Sequence, residues 1–577
     1  GALTAALDNA ARGRRPRRTR SMPALTHLRS ALLLLACLLP TLLAYHRSPA
    51  STLYNQLLSL GLWAALLCVS PHAGLLRTGT PRAPLLAALG LALAAGLAML
   101  GSHSLQDGVA LVFLLAALLL LTLPARGNAT ELDEGLGLGL LLTGLAGLAL
   151  GLVQVFLPHW ADGEWIARSG FVGRAVGNVR QPNHLATLLL MAAVAWVWLG
   201  VRRQRGAREG ALVLFLLVFG VVLTASRTGL WFGVPLLLLW GLLDRELPGR
   251  WRLLLLATPL MAAAAWGLLH LWASSGAGVF GAEARLDQEG AGSPSRIAIL
   301  KNAWVLLQMH PWTGVGWGEF NRAWTLTPFP DRPIAFFDHT HNLPLQLLVE
   351  LGWPLGLAVL GLLLATFLQA LRMAWRARGA DALRRRAALM LVLVVGLHSM
   401  LEYPLWYAYF LLPTALALGI ALAPEVGPRV PAARWPRAAG LVLLLLCLFA
   451  YAEYQKVAAI YAPGPADEAL AERVERGQRT WLFGRHADYA AATALGHDAA
   501  ALAAAQRTGH QLIDARLLMA WAKSLNAQGQ TDKARYLVER LREFRSREGT
   551  AWLQACELEP ERWMCQPSTG RYGWRDF

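Results

Sequence analysis

The residues best suited to acid–base chemistry lie in a short polar run, Asp338-His339-Thr340-His341-Asn342, directly before a long apolar stretch. Imidazole titrates near neutral pH, and a neighbouring carboxylate or amide can fix its tautomer, so His339 or His341 would make a competent general base. The spacing favours side chains that point in different directions and leaves both histidines eligible. A His-x-His pair can also chelate zinc, but no third and fourth ligand follows at a suitable spacing, so we predict no metal.

Three arginines are candidates for binding an anion at the ends of apolar runs. Arg227 separates two such runs with almost no loop between them. An arginine at membrane depth is costly unless it is paired or faces a polar cavity, so Arg227 is a candidate functional residue. The alternative is that its side chain extends to the lipid headgroups. Guanidinium forks bind phosphate oxygens in pairs, so convergence of Arg180, Arg227 and Arg296 would suit a diphosphate.

Other polar residues at helix ends would support such a site. Gln181 and Asn183 precede an apolar run, and Asn183 is suited to begin the helix. Glu402 lies in a tight turn between two apolar runs, where a structural role is at least as well supported as a catalytic one. We expect these three residues, with Asn342 and Asp338, to surround the acid–base and anion-binding groups.

These side chains would be positioned by a bundle of membrane helices. Of the 577 residues, 55% are hydrophobic and only 15% are charged, unlike a soluble globular chain. Apolar runs of roughly 17 to 25 residues, each long enough to cross a hydrocarbon core of ~30 Å, recur along the sequence. We predict an all-α fold, a polytopic membrane bundle of about thirteen transmembrane helices, near residues 30–46, 54–71, 84–101, 107–124, 135–157, 184–201, 210–225, 228–243, 251–273, 343–371, 387–401, 404–423 and 437–454.

The positions of Lys and Arg predict the orientation. An N-terminus in the cytoplasm places the Arg-rich connections inside, as the positive-inside rule requires: Arg77 to Arg82, Arg126, Arg202 to Arg205, Asp244 to Arg252, Arg372 to Arg386 and Arg429 to Arg437. The net charge of +17 then reflects topology and not nucleic-acid binding, because no basic stripe with interleaved aromatics is present. Other arginines fall on the outward side, where anion binding or solvated surface charge would explain them: Arg168, Arg174, Arg180, Arg296, Arg322 and Arg332.

The sequence divides into five regions. They are a basic cytoplasmic arm (1–28), transmembrane helices 1–9 (29–273), a periplasmic catalytic loop (274–342), transmembrane helices 10–13 (343–455) and a small helical C-terminal periplasmic domain (456–577). Within the last region, helical periodicity on both sides of a turn at 526–530 is similar to one tetratricopeptide-like unit. Cys556 and Cys565 are the two cysteines outside apolar runs, so a disulfide between them would suit an oxidising compartment.

Several of these motifs together resemble a known family. The chain is similar to lipid-linked glycan ligases and polymerases, which include O-antigen ligases, O-antigen polymerases and bacterial protein O-oligosaccharyltransferases. The resemblance covers about residues 215 to 370 and rests on the motifs Ser226-Arg227-Thr228-Gly229, Ser295-Arg296, Pro311-Trp312-Thr313-Gly314-Val315-Gly316 and His341-Asn342 with the helix up to Gly352. Two further stretches resemble the protein-glycosylating branch in particular: Gln181-Pro182-Asn183-His184 and His398 to Tyr407.

The resemblance implies an enzyme of the bacterial inner membrane. It would transfer an oligosaccharide en bloc from undecaprenyl diphosphate to Ser or Thr hydroxyls of a periplasmic acceptor such as a pilin-like protein, with no cofactor. The family's catalytic histidine maps to His341, and its diphosphate-binding residues map to Arg227 and Arg296. The alternatives are an O-antigen ligase that uses lipid A core as acceptor, and a transporter of a lipid-linked anion, which would show internal repeats and broken helices at the midplane.

Overall fold

The computed structural model describes residues 23–71, 82–102, 104–126, 129–289, 294–330, 332–334, 336–423, 433–464, 468–511 and 513–577. Within these ranges the regular secondary structure is helical, apart from one isolated bridge between Arg47 and Ala50. The predicted all-α fold is therefore confirmed. The basic arm as far as residue 22, the predicted connection before Arg82 and residues 424–432 lie outside the described ranges.

Each predicted apolar run coincides with one helix or, for 251–273, with two. Seven described helices are long and apolar enough to cross a membrane, or eight if the pair bent by 44° after Leu256 is one span. Three further apolar helices of 10–17 residues are shorter. The protein is thus a polytopic membrane protein, while the number of thirteen spans stays a prediction. The helices are Pro23–Leu42, Leu53–Val69, Arg82–Ser102, Val109–Thr122, Ala129–Phe156, Pro182–Arg202, Ala207–Leu223, Gly229–Leu243, Gly249–Leu256, Thr258–Ser274, Leu343–Arg376, Gly379–Ser399, Ala408–Leu422 and Trp435–Tyr461.

The helix Pro182–Arg202 lies at the centre of the bundle, and nearly all of its residues are buried. Its neighbour, Ala129–Phe156, carries glycines at the contact: a Cβ added to Gly144 would lie 2.2 Å from Ala192 Cβ. Small residues let membrane helices approach closely, because there is little hydrophobic driving force between helices in lipid. This packing holds the first turn of the central helix, with Gln181 and Asn183, at one end of the bundle.

A second hydrophobic core lies outside the bundle and joins the long loop to the C-terminal region. The loop contributes the helices Pro294–Met309 and Phe320–Leu326, including the fully buried Phe320 and Trp324. The sequence analysis treats the loop and the C-terminal region as two separate regions, but their apolar side chains pack together in one core. The C-terminal helices are Leu470–Gln478, Gly484–Ala494, Ala499–Thr508, Ala515–Ala527, Thr531–Phe544, Arg547–Leu553 and Ala555–Leu558.

Two of the arginines that the sequence predicts to face outward fasten the loop to the C-terminal helices. Arg332 Nε donates to Glu543 Oε2 at 2.8 Å, and its guanidinium lies 4.4 Å from the centre of the Phe544 ring. Arg322 hydrogen-bonds with His510 and with the carbonyl oxygen of Phe577. Neither anion binding nor solvated surface charge therefore explains these two residues, because both are buried between packed elements.

The C-terminal region also contacts the bundle directly. Arg485 donates two hydrogen bonds, of 2.6 and 2.7 Å, to the carboxylate of Asp107 in the turn Leu105–Gly108. Within the region, the helices Ala515–Ala527 and Thr531–Phe544 flank the turn that the sequence predicts. Cys556 and Cys565 are joined by a disulfide. The Arg485–Asp107 ion pair therefore holds the C-terminal helices against the turn Leu105–Gly108 of the bundle.

The helix that follows the histidine loop is broken at Gly352, which has φ 73° and ψ 175°. The break frees backbone groups that bond to the glycine-rich segment 311–316. Val315 N–H donates to Val349 O at 2.8 Å, and Trp353 N–H donates to Pro311 O at 2.8 Å. The glycine-rich segment 311–316 therefore clamps this helix by hydrogen bonds on both sides of the break. The sequence analysis treats 343–371 as one apolar run and does not predict this contact.

Gly352→Ala should destabilise the protein strongly. The left-handed backbone disfavours any Cβ, and the new atom would lie 2.5 Å from the carbonyl carbon and oxygen of Trp312. We expect a loss of about 2 kcal/mol or more, measured by thermal unfolding in detergent. Gly361→Ala is the matched control, because a Cβ there meets nothing within 4 Å. Equal melting temperatures for the two variants would contradict the clamp.

Candidate active site

Asn342 fixes the junction between the histidine loop and the next helix. Its Oδ1 accepts a hydrogen bond from the Leu345 N–H at 2.9 Å, which caps the helix N-terminus. Its Nδ2 donates to the carbonyl oxygen of Met400 at 3.0 Å. Asn342 therefore ties the histidine loop to the turn that carries Glu402.

The two histidines of the loop face the same aromatic ring. His339 stacks on Tyr403 with a centroid distance of 4.0 Å, and His341 meets that ring at 5.3 Å and a steep angle. The sequence expectation that the two side chains point apart is wrong, because His341 adopts a left-handed backbone conformation, with φ 56°, and the chain turns there. His339 Nδ1 also lies 2.9 Å from Asp338 Oδ1.

The surroundings of His341 would suit a general base. Its Nδ1 is buried and has no hydrogen-bond partner among the described residues. Burial lowers the pKa of His341 below its ordinary value of 6.5; Glu402 opposes this shift, and the charge of Arg296 adds to it. A lowered pKa keeps the imidazole neutral at neutral pH, so the ring can accept a proton.

Glu402 is the centre of a buried polar network beside the histidines. Its Oε1 accepts hydrogen bonds from Asn183 Nδ2 at 2.5 Å and from Arg296 Nη2 at 3.0 Å. Its Oε2 accepts from Gln181 Nε2 at 2.8 Å and lies 3.1 Å from His398 Nε2. Four side chains from three separate parts of the chain thus converge on one carboxylate.

The network keeps Glu402 ionised. Burial alone would raise the pKa of Glu402, but the hydrogen bond from His398 and the charges of His398, His184 and Arg296 lower it to about 2. A carboxylate that accepts several hydrogen bonds and faces a cation favours its charged form. Glu402 can therefore orient the guanidinium of Arg296 near His341 at neutral pH.

The three candidate arginines occupy different places around this network. Arg296 belongs to it directly. Arg227 follows Ser226, whose hydroxyl donates to Asn183 Oδ1 at 2.6 Å, so Arg227 adjoins the other end of the network. Arg180 is held by the segment before the helix Leu53–Val69, since it donates to Ser51 O at 2.9 Å and lies 3.1 Å from His46 Nδ1.

One group of side chains has the composition of a metal site. The ligand atoms of His184, His398 and Glu402 lie within 4.8 Å of one another. The group does not favour a cation, because Glu402 already carries the Arg296 guanidinium and the rings have other partners. His398 Nδ1 lies 2.9 Å from Thr187 Oγ1, and His184 Nδ1 lies 3.1 Å from Tyr409 Oη.

Sequence reasoning did not single out His184 and His398 as site residues. His398 precedes Glu402 by four residues at a helix end, and this i, i+4 spacing is a signal that pairs the two side chains. His184 offers no comparable signal, because its neighbours Tyr407, Tyr409 and His398 come from distant parts of the chain.

Three family models match separate parts of the chain. The model described as O-antigen ligase matches residues 212–360, which include Arg227, Arg296 and the histidine loop. The model described as virulence factor membrane-bound polymerase, C-terminal, matches residues 386–555, which include Glu402. The model described as protein glycosylation ligase matches residues 175–199, which include Gln181 and Asn183.

Two curated proteins of Acinetobacter baylyi (strain ATCC 33305 / BD413 / ADP1) are similar to this chain. A general O-oligosaccharyltransferase is 29% identical over 259 residues, 43% of this chain and 44% of that protein. A ComP-specific O-oligosaccharyltransferase is 26% identical over 258 residues, 44% of each chain. The match spans less than half the length of each relative. The three family models and the two relatives agree: over the matched residues, the chain is similar to O-antigen ligases and protein O-oligosaccharyltransferases.

Proposed function

We propose that the protein transfers an oligosaccharide en bloc from undecaprenyl diphosphate to Ser or Thr hydroxyls of periplasmic proteins, such as a pilin-like protein. The observation that carries the proposal is the buried, unpartnered Nδ1 of His341 beside the Arg296–Glu402 ion pair. A neutral base next to an oriented cation suits a reaction in which a hydroxyl attacks and an anion leaves. The names of the two relatives support the protein acceptor.

The proposed step forms one bond and breaks another. The acceptor hydroxyl oxygen attacks the anomeric carbon of the first sugar while His341 takes the hydroxyl proton. The bond between the anomeric carbon and the diphosphate oxygen breaks, and the diphosphate leaves with the electron pair. The products are the glycosylated hydroxyl, undecaprenyl diphosphate and a protonated His341, which returns its proton to solvent.

The arginines stabilise the leaving group in this step. Negative charge grows on the departing diphosphate, and a fixed guanidinium stabilises that charge without reorganisation. Arg296 is held by Glu402, and Arg227 lies one residue from Ser226 in the same network. Side chains thus supply both the base and the charge stabilisation, so the proposed reaction uses no cofactor.

The proposed reaction also requires one orientation of the protein in the membrane. The donor and acceptor would meet on the periplasmic side of the inner membrane, with the N-terminus in the cytoplasm and the C-terminal helices in the periplasm. The lengths and apolar faces of the helices support membrane insertion, and the Arg-rich connections support this direction. A cysteine-accessibility scan of single residues in the turn 400–403 and in the connection 203–206 would test it.

An O-antigen ligase is the second candidate, because the family model of that description is the one that covers the histidine loop. The two activities share a donor and differ in the acceptor. A host that makes a lipid-linked glycan and lacks its own ligases would separate them, with transfer scored on a pilin-like protein and on lipid A core. We expect glycan on the protein. Transfer to lipid A core alone would overturn the proposed acceptor, and no transfer to either would overturn the reaction.

The rate of transfer should persist into mildly acidic solution. His341 acts as a base only when neutral, and its pKa is lowered from 6.5, so protonation should inactivate the enzyme only below that pH. The acid limb of kcat/KM against pH, measured with purified protein and a lipid-linked donor, should therefore have its midpoint below 6.5. A midpoint above 6.5 would show that another group, or an exposed histidine, is the base.

A further inference from the structure

The helix Pro294–Met309, which carries Arg296 near its start, is apolar on its exposed face as well as on its buried face. Its buried side chains, such as Ile299 and Leu306, pack into the second hydrophobic core. The opposite face would be polar if it met only water. Of the seven exposed residues from 297 to 309, however, five are apolar: Ile297, Leu300, Trp304, Val305 and Met309. A contiguous apolar face of this kind marks a surface that a partner covers.

The apolar face continues beyond the end of the helix. Trp312, in the glycine-rich segment 311–316, is 77% exposed. The ring of Trp304 meets that of Trp353 at a centroid distance of 5.6 Å and an angle of 84°. Trp353 directly follows the break at Gly352. The exposed face of the loop helix therefore adjoins the straight part of the membrane helix that begins after this break.

That straight part places Trp353 at a membrane boundary. From Trp353 to Arg376 the helix rises about 36 Å at about 1.5 Å per residue, which is enough to cross a hydrocarbon core of ~30 Å. Leu357, Leu364 and Leu368 are half exposed or more, and their spacing puts them on the same face as Trp353. On a membrane span this face contacts lipid, and tryptophan favours the boundary with water. The apolar face of the loop helix is thus continuous with a lipid-facing surface.

Two contacts hold the loop helix across this end of the bundle. Near its start, Arg296 pairs at 3.0 Å with Glu402, in a turn that joins two helices of the bundle. After its end, the segment 311–316 bonds to both sides of the break at Gly352. Both contacts lie at the bundle end opposite the connection 377–378. The loop helix therefore runs along the end of the bundle, at the level where the membrane span begins.

The charge of the exposed face fits phospholipid. Its two polar residues are Lys301 and Gln308, and the sequence from 294 to 309 contains neither Asp nor Glu. A lysine can lay its aliphatic stem along an apolar surface and keep its ammonium in a polar layer. Basic residues beside an apolar helix face are attracted to the anionic groups of the membrane surface. One cation on an otherwise apolar face thus complements a layer of lipid phosphates.

We propose that the helix Pro294–Met309 is an interfacial helix, whose exposed face lies among the phospholipid headgroups and first acyl carbons at this end of the bundle. The bilayer then supports the helix that carries Arg296 and fixes the depth of its guanidinium in the membrane. The inference rests on membrane insertion and on the contacts of this helix, and it does not depend on glycan transfer.

Spin labels on the full-length protein in phospholipid nanodiscs test the proposal. The labelled positions are Val305→Cys and Met309→Cys, in a background where the free cysteines are replaced by alanine: Cys37, Cys68 and Cys447. The measurement is the accessibility of each label to oxygen, which concentrates among acyl chains, and to a water-soluble nickel chelate. Leu364→Cys, in the middle of the lipid-facing span, and Glu548→Cys, at an exposed residue of the C-terminal region, are the reference variants.

We expect the oxygen-to-nickel accessibility ratio at positions 305 and 309 to lie between those of the two reference variants, about threefold or more above that of Glu548→Cys. Both labelled residues are exposed, so the melting temperature should stay that of the unlabelled protein. A ratio equal to that of Glu548→Cys would place the face in water and overturn the proposal. A ratio equal to that of Leu364→Cys would place it in the hydrocarbon core and overturn the interfacial position.

Low accessibility to both reagents would also overturn the proposal, because it would show that protein covers the face, either an acceptor or a second copy of the chain. The transfer assay keeps this result separate from the proposed function. Interfacial labels on a protein that transfers no glycan would retain the helix assignment and reject the function, whereas transfer with labels in water would do the reverse.

Discussion

His341→Asn should reduce glycan transfer by roughly 10²- to 10⁴-fold, the usual contribution of a positioned general base. Asparagine is the informative substitution, because it tolerates the left-handed backbone of residue 341, with φ 56°, but has no basic nitrogen. The fold should therefore remain and the proton acceptor should be lost. The measurement is the rate of transfer by purified protein from a lipid-linked donor, with thermal unfolding to show that the variant is folded.

Two further variants show whether a loss of transfer in His341→Asn is specific to His341. His497→Gln changes an exposed histidine of the C-terminal region and should leave transfer unchanged. His339→Ala removes the ring that stacks on Tyr403 and should have a smaller effect than His341→Asn. If His339→Ala abolished transfer while His341→Asn remained active, His339 would be the base. Full activity in both variants would reject histidine catalysis at this loop.

Glu402→Gln should impair both folding and transfer. The carboxylate accepts from Asn183, Arg296 and Gln181 and pairs with His398, whereas an amide would direct an NH₂ group at some of these donors. Removal of one member of a buried ion pair costs about 3–5 kcal/mol, because the remaining charge is left uncompensated. We expect a clearly lower melting temperature in detergent and strongly reduced transfer, because Arg296 loses its orientation.

The pH dependence of stability gives a separate readout for Glu402. Its pKa in the folded protein, about 2, is below its ordinary value of 4.5. The stabilisation of the folded protein by ionised Glu402 is therefore fully present above pH 4.5. It is lost as the pH falls from 4.5 towards about 2. Glu402→Gln should remove this part of the acid dependence, and Glu164→Gln, at an exposed glutamate, should not. Wild-type stability and transfer in Glu402→Gln would show that the network is dispensable.

Local patterns were sufficient for the helices and for several site residues. Apolar runs of membrane length predict helices because a bilayer leaves the backbone no other way to satisfy its hydrogen bonds within one segment. The polar residues at the ends of those runs, such as Gln181, Asn183 and Glu402, could also be recognised in the sequence. A polar group beside a long apolar run is costly unless it has a function or a partner. The break at Gly352 was not predicted, because its partner segment 311–316 is brought to it by the fold.

An α-helical membrane protein with histidines and arginines at helix ends can be predicted from the amino-acid sequence, because those features depend on the order of residues along one segment. Which of these side chains come into contact depends on the tertiary fold. It placed Arg296, Gln181, Asn183 and His398 on Glu402, assigned Arg332 to a structural contact with Glu543, and set Trp304 against Trp353. These pairings join residues that are far apart in the chain, and their contacts depend on how helices pack and where loops return, which no local pattern specifies.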